Sequence, residues 1–425
     1  MLNQTYTEQT HFFGQTDPQK LLQKYGSPLY VYNESILRTR CREIAGLSDY
    51  PHFHANYSVK ANGNLHLLRI IREEGFYADA MSPGEIYVEE MAGFQPEQIL
   101  FISNNVSPEE MRFAIDRQIL VSVDSLSQLT QYGLLNPGGR VCIRFNPMVG
   151  AGHSDKVVTG GKNTKFGVDP NMVPEVKAIL ARYQLRLVGI NQHIGSLFME
   201  DDQYIQGMES ALAVARQFAD LEFIDFGGGF GIPYRKQDGE KRLDLTALGQ
   251  KLHSIFRRFA AEYGKELTFK LEPGRYIVAE CGVLLGTVTA LKSNFGKNYL
   301  GTDIGFNVLQ RPLLYGSHHD MEVYRPETGK SYDQNTAEKT IVYQVTGNIC
   351  ESGDILAADR ALPEAQIGDI LTVLDAGAYG YCMASSYNNR LRPAEVLITN
   401  GGEDILIRRR ETLADLVQAF PGAGQ

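Results

Sequence analysis

The segment Phe53-His54-Ala55-Asn56-Tyr57-Ser58-Val59-Lys60-Ala61 reads as a short strand that ends on a lysine. Phe53, Tyr57 and Val59 favour a strand, and a longer amphipathic stretch follows. The same alternation continues to about Arg275, which is the pattern of repeated βα units and a parallel sheet. Further strands are predicted over Phe76–Met81, Ile99–Ser103, Leu120–Asp124, Arg140–Asn146, Leu187–His193, Phe223–Phe226 and Phe269–Glu272. Eight such units match a (β/α)8 barrel, which usually takes about 250 residues.

The position of the polar residues decides for the barrel. Barrel enzymes carry their chemistry at the C-terminal ends of the strands, and each predicted strand ends on reactive or polar groups. These are Lys60, Asp79 with Ser82, Ser103 with Asn104, Asp124, Arg144 with Asn146, His193 with Ser196, Asp225 before Gly227-Gly228-Gly229, and Glu272 with Arg275. Ordinary solvated loops account for one or two such ends, not for a ring of eight.

After Gly282 the character changes to β-branched runs such as Thr340-Ile341-Val342-Tyr343-Gln344-Val345 and Ile370-Leu371-Thr372-Val373-Leu374, separated by Gly, Pro and Asp turns. The expected architecture is therefore α/β: a TIM-type barrel over residues 30–282, and a mostly antiparallel β-domain over 283–425 joined by residues 1–29. Arg325 to Lys339 is polar and turn-rich and reads as an exposed loop.

With 425 residues, 43% of them hydrophobic, the chain can bury a full core. Its net charge of -9 argues against a basic footprint, so neither nucleic acid nor an anionic membrane is an expected partner, and a small molecule is. Met1-Leu2-Asn3-Gln4-Thr5 lacks the features of a secretory signal, and no stretch approaches the roughly 20 apolar residues of a membrane span, so a cytoplasmic location is expected. Cys41, Cys142, Cys281, Cys350 and Cys382 are widely spaced with no C-x-x-C pair, and most are expected to be reduced core residues.

Several residues could carry chemistry, each against a plainer alternative. Lys60 is either a solvated lysine or a partly desolvated amine able to form an imine. The run Asp225-Phe226-Gly227-Gly228-Gly229-Phe230-Gly231 is either a flexible turn or a set of backbone amides that close on a phosphate. Ile232 occupies the position of the last glycine in the dinucleotide fingerprint, and Asn163 after Gly161-Lys162 excludes a P-loop, so the phosphate points to a phosphorylated cofactor. Glu272-Pro273-Gly274-Arg275 is a turn, or supplies a carboxylate that keeps a pyridine nitrogen protonated. His193 is a core histidine or a flat ring stacked on a cofactor. Cys350-Glu351-Ser352-Gly353-Asp354 is a polar turn, or presents a thiol suited to donate a proton. The pair His318-His319 lacks a further ligand at zinc spacing, and no metal is expected.

Taken together, Tyr57-Ser58-Val59-Lys60-Ala61-Asn62, Lys165-Phe166-Gly167, His193-Ile194-Gly195-Ser196, the triple glycine, Glu272-Pro273-Gly274-Arg275, Arg311-Pro312-Leu313-Leu314-Tyr315, Cys350-Glu351-Ser352-Gly353-Asp354 and Gly377-Ala378-Tyr379 resemble the alanine-racemase-fold decarboxylases that use pyridoxal 5'-phosphate. The resemblance covers nearly the whole chain. It implies that Lys60 holds the cofactor, that His193 packs on its ring, and that Glu272 pairs with the ring nitrogen. The phosphate falls to Ser196, Gly227, Gly228, Gly229, Arg275 and Tyr379. It implies a homodimer in which Cys350 and Glu351 reach the partner's active site, with the Cys350 thiol protonating Cα. The implied substrate is meso-2,6-diaminopimelate, decarboxylated to L-lysine at the end of lysine biosynthesis. Arg275, Arg311, Tyr315 and Tyr379 then bind the retained end and its carboxylate, and Glu351 the distal ammonium. Leu197, Asn348 and Val308 depart from the family pattern near the substrate side.

Other readings are a decarboxylase of the same fold for ornithine, arginine, a D-amino acid or a siderophore intermediate, a racemase, a non-catalytic relative, or a barrel enzyme for phosphorylated sugars. Arg311 with Glu351 argues against the first, and the Cys350 motif resembles the decarboxylases rather than a racemase. Retention of both Lys60 and Cys350 argues against a non-catalytic relative, and the absorbance of a bound aldimine separates a sugar-phosphate enzyme.

Overall fold

The computed structural model describes residues 4–102, 104–150, 159–161 and 164–422. The chain divides into two compact units. One comprises Arg38–Ile232 with Arg242–Ile277, and the other Met1–Leu37, Pro233–Lys241 and Val278–Gln425.

The first strand, β1 (Leu29–Asn33), lies in the second unit. The next eight form the first: β2 (Phe53–Ser58), β3 (Tyr77–Ala80), β4 (Ile99–Ile102), β5 (Leu120–Val123), β6 (Arg140–Arg144), β7 (Arg186–Asn191), β8 (Phe223–Asp225) and β9 (Thr268–Leu271). They pair in parallel in chain order, and β9 returns to β2 with Phe269 opposite Phe53, so the barrel closes. Parallel neighbours require crossovers, and every connection here contains an α-helix.

Leu245–Tyr263 illustrates why these segments are helical. Asp244 caps it by accepting from the Ala247 N–H at 2.9 Å, and Gly264 ends it in the left-handed region. Between them Leu248, Leu252, Ile255, Phe256 and Phe259 recur at helical spacing and are buried. The Phe256 ring stacks on Phe269 of β9, with centroids 4.5 Å apart and planes 7° from parallel. Truncating either ring to alanine removes contacts worth about 3–5 kcal/mol.

All eight predicted barrel strands are present. Most leave the sheet one to three residues earlier than the sequence suggests, because their last residues turn into loops. Val59–Ala61 is a 3-10 turn, for instance, and Ser103 lies outside the described residues.

The second unit contains β1 together with β10 (Gly282–Asn294), β11 (Lys297–Thr302), β12 (Met321–Arg325), β13 (Lys330–Tyr332), β14 (Thr340–Thr346), β15 (Ile355–Pro363), β16 (Ile370–Val373), β17 (Ala394–Ile398) and β18 (Asp404–Arg408). Their order is β13-β12-β16-β10-β1-β17-β18, and the far half of β10 carries β11, β14 and β15 in succession. All pairs are antiparallel except β1 with β17 and β11 with β14. Phe12, Leu21, Leu29, Val31, Val283, Leu285, Val396 and Ile398 pack in one core.

Two features differ from the sequence boundaries. Residues 30–37 and Pro233–Lys241 belong to the β unit, since β1 pairs with β10 and β17. The stretch Arg325 to Lys339 is not simply an exposed loop. Arg325 O accepts from the Thr328 and Gly329 N–H groups, Gly329 takes φ 66°, and the chain returns as β13 with Ser331 and Asp333 buried. Among the described residues, no helix is long and apolar enough to cross a membrane.

Candidate active site

The barrel unit collects the first group of predicted residues at the C-terminal ends of its strands. Lys60 is exposed on the 3-10 turn after β2, between buried Val59 and Ala61. Its charge acts on Asp79, Glu85, His193 and Glu272. Asp79, on β3, is fully buried, and its Oδ2 accepts from Ser58 Oγ at 2.9 Å. Burial raises its carboxyl well above the ordinary range, while the Lys60 ammonium pulls it back.

His193 follows β7, and its Nδ1 accepts from the Gly228 N–H at 3.1 Å. Burial pushes the imidazole well below its usual range, and the charges of Lys60 and Arg144 add to that, so the ring is neutral. The glycine run follows β8. Gly227 adopts φ 71° and donates to Asp225 Oδ1 at 2.9 Å. A Cβ on Gly228 would stand 1.9 Å from the Glu272 carbonyl oxygen, so only glycine allows the loop to lie against that backbone. Ser196 is half-buried beside this loop, where Leu197 and Phe198 donate to Gly229 O. Leu197 holds φ 69°, a conformation strained for leucine that glycine adopts freely.

Glu272 follows β9 and is 7% exposed. Burial raises its carboxyl far above the ordinary range, with the Asp225 and Asp79 carboxyls adding and Lys60 and Arg144 opposing. The Asp225 and Glu272 carboxyls are both buried and act on each other's ionisation. Like charges buried together do not both ionise, so the pair keeps a proton near neutral pH. Arg275 is buried on the first turn of Arg275–Val278.

Arg144 completes this group, although only its place at a strand end marks it in the sequence. It is 8% exposed, its guanidinium lies 4.6 Å from the Phe166 ring centre, and Nη2 is buried with no hydrogen-bond partner among the described residues. The Lys165-Phe166-Gly167 segment is held there by Val168 N–H to Arg144 O at 2.8 Å and Asn146 N–H to Val168 O at 2.9 Å. The roles of Asp79, Asp225 and Arg144 depend on charges brought together by barrel closure. These residues fit an aldehyde cofactor with a basic ring nitrogen: an amine, a neutral flat ring, a proton-holding carboxyl, and glycine amides near an arginine.

The β unit carries the second group. Arg311 opens the helix Arg311–Tyr315, is 1% exposed, and lies 4.6 Å from the Tyr234 ring centre. Tyr315 is half-buried at the end of that helix. Tyr379 is half-buried with φ 55° on the turn after β16. There a Cβ on Gly377 would meet Val278 O at 1.8 Å, which fixes that residue as glycine. Cys350 and Glu351 are exposed on a turn pinned by Asp354, whose carboxylate accepts from Ile349 and Phe306 N–H groups at 2.7 Å each. Glu351 accepts from the Tyr387 hydroxyl. Of the departures, Asn348 donates to Asp303 O at 3.2 Å, and the Val308 carbonyl accepts from Tyr30 Oη at 2.5 Å. Cys41, Cys142 and Cys281 are buried and Cys382 is exposed.

A closed parallel barrel with this mouth, in a chain that also forms a β unit, defines a barrel decarboxylase of the pyridoxal-dependent class, and the model for "Pyridoxal-dependent decarboxylase, pyridoxal binding domain" matches residues 36–279. The chain is 42% identical to the diaminopimelate decarboxylase of Methanothermobacter thermautotrophicus, covering 95% of this chain and 94% of that one. It is 35% identical to the Escherichia coli enzyme of the same name over 94% of this chain and 94% of that one. The crystal structure of Helicobacter pylori diaminopimelate decarboxylase complexed with L-lysine superposes with a TM-score of 0.84 at 30% identity, covering 94% of this chain and 98% of that one. The chain belongs to the diaminopimelate decarboxylase family of carbon-carbon lyases.

Proposed function

We propose that this protein decarboxylates meso-2,6-diaminopimelate to L-lysine and carbon dioxide, with pyridoxal 5'-phosphate held on Lys60, as a cytoplasmic homodimer. The observation that carries the reading is the neutral His193 ring, the proton-holding Glu272 carboxyl and the exposed Lys60 amine gathered at one barrel mouth. Family membership over almost the full length supports it.

Bound there, pyridoxal phosphate supplies an electron sink for the pair of electrons left when the bond from Cα to the carboxylate breaks. The residues of the chain make that sink effective. Glu272 shares its proton with the ring nitrogen. A neutral carboxyl facing a neutral pyridine carries the same proton count as the ion pair it becomes. Neutral His193 covers one ring face without adding a competing charge. Ser196, Gly227, Gly228, Gly229, Arg275 and Tyr379 hold the phosphate. Cys350 and Glu351 serve the active site of a second copy, in keeping with their exposure on their own chain. The Cys350 thiol gives a proton to Cα, and Lys60 exchanges with the product amine.

At the far end of the substrate, Arg275, Arg311, Tyr315 and Tyr379 bind the retained end with its carboxylate, and Glu351 binds the ammonium. Ornithine and lysine lack the second carboxylate, so Arg311, desolvated in advance, is left uncompensated by them, and rejection by about 10⁴ is expected. The test is to supply meso-diaminopimelate, ornithine, lysine and arginine separately to the cofactor-loaded protein, following carbon dioxide and the amine formed. Turnover confined to diaminopimelate is expected. Turnover of another amino acid instead overturns the roles of Arg311 and Glu351.

A further inference from the structure

The buried pair formed by Arg311 and His319 carries a role beyond those assigned above. Both are 1% exposed, and Arg311 Nη1 lies 2.8 Å from His319 Nε2. A guanidinium can only donate, so Nε2 must present its lone pair. The other ring nitrogen, Nδ1, lies 2.8 Å from Leu374 O. A carbonyl can only accept, so Nδ1 must carry the hydrogen. Only one species satisfies both contacts, the neutral imidazole protonated at Nδ1.

The surroundings hold this ring in place. Tyr234 meets it edge-on, with centroids 5.5 Å apart and planes at 79°, and presents its face to the Arg311 guanidinium. The His319 carbonyl accepts from Arg360 Nη1 at 2.7 Å, while Arg360 Nη2 reaches His318 Nδ1 at 2.9 Å. His318 Nε2 in turn contacts Asp320 Oδ1 at 2.8 Å. Leu374 is fixed from its other side by donating to Asp320 O at 2.9 Å. The next residue, Asp375, is gripped through both carboxylate oxygens by Lys236 at 2.7 Å.

We propose that His319 is a positioning residue for substrate recognition, which orients the Arg311 guanidinium toward the carboxylate retained in the product. The proposal rests on the assignment of Arg311 under the proposed function. The choice of histidine has a physical reason. A neutral acceptor fixes the plane of the guanidinium and leaves its charge whole for the ligand. An aspartate or glutamate at the same place would orient it equally well but cancel that charge.

Two ligands of matched length separate the possibilities. L-Lysine keeps the carboxylate that Arg311 is to bind, and cadaverine is the same diamine without it. Calorimetric titration of both into the cofactor-loaded enzyme, with steady-state kinetics on meso-diaminopimelate, is carried out for the wild type, Arg311→Met, His319→Ala, His319→Asn and His319→Gln. The Asn variant keeps a donor toward Leu374 O, and the Gln variant keeps an acceptor toward Arg311. Loss of a hydrogen bond to a charged group predicts that the Ala and Asn variants weaken L-lysine binding and raise KM roughly 10- to 100-fold. Cadaverine affinity and kcat should move far less, and the Gln variant should stay near wild type. If Arg311→Met loses L-lysine affinity while His319→Ala does not, this inference fails and the role of Arg311 stands. If Arg311→Met retains L-lysine affinity, that role fails and the inference goes with it. Should the Ala variant not fold, the Asn and Gln variants decide. Equal losses in both, or equal losses of L-lysine and cadaverine binding, would mean that His319 only supports the fold.

Discussion

The Gly228 N–H donates to His193 Nδ1 across 3.1 Å, tying the glycine loop of one barrel strand to the imidazole of its neighbour. With Nδ1 accepting, the neutral ring carries its hydrogen on Nε2. His193→Ala leaves the buried Gly228 N–H without this acceptor, at about 1–3 kcal/mol. The expected outcome is a lower melting temperature and faster loss of cofactor on dialysis, read from absorbance. The folded-state pKa of His193 lies below its unfolded value. Its contribution to stability is therefore complete above the unfolded value, and it is lost as pH falls through about 6.5. The alanine variant should show a shallower decline on acidification.

Glu272→Gln removes the titrating carboxyl whose affinity for a proton burial raises, while its amide fits the same space. Cofactor should still bind, because Lys60 and the phosphate-binding groups are intact. The variant should lose kcat by about 10² or more, the size of effect expected when a preorganised charge stabiliser is deleted. Equal kcat for variant and wild type under saturating diaminopimelate would remove Glu272 from this role.

Lys60→Ala should abolish turnover and the visible or near-ultraviolet band of the bound cofactor. An active, coloured Lys60→Ala protein refutes the assignment. Cys350→Ala should keep the band yet lose about 10²- to 10⁴-fold in kcat, the usual contribution of a positioned proton donor. Full activity in that variant sends the proton to another group.

Glu89 offers a test of stability free of catalysis. It is fully buried on the helix Pro83–Ala92, and neither carboxyl oxygen has a hydrogen-bond partner among the described residues. Burial, with the neighbouring Asp79, Glu85 and Glu90 carboxyls, pushes its pKa up to about 9. Between the unfolded value of about 4.5 and that figure, the folded state holds a proton that the unfolded state has released. Its stabilising contribution is thus full below the window and declines as pH rises through it, by at most about 1.4 kcal/mol per pH unit. Glu89→Gln cannot titrate, so its melting temperature relative to wild type should climb steadily from pH 5 to pH 9. A constant difference would contradict a neutral Glu89.

Much of the fold was legible in local pattern. The eight barrel strands were readable because a strand buried on both faces must be a short apolar run, and the turn after it must be polar. Lys60, His193, Glu272 and the glycines were readable because they sit at those ends in distinctive company. Arg144, Asp79 and Asp225 were visible only as polar strand ends. What each does depends on neighbours about 20 to 190 residues away, the farthest brought close when β9 pairs with β2.

The amino-acid sequence by itself determined the periodicities, the polar strand ends, the glycine run Gly227-Gly228-Gly229 and the chemical groups available to a ligand. Only the tertiary structure decided that β1 and Pro233–Lys241 join the β unit, that Ser331 and Asp333 are buried in a hairpin, and that His319 is the neutral acceptor for Arg311. The physical reason is that strand and helix signals are set by neighbours along the chain. Desolvation, proton sharing and donor–acceptor matching are set by neighbours in space.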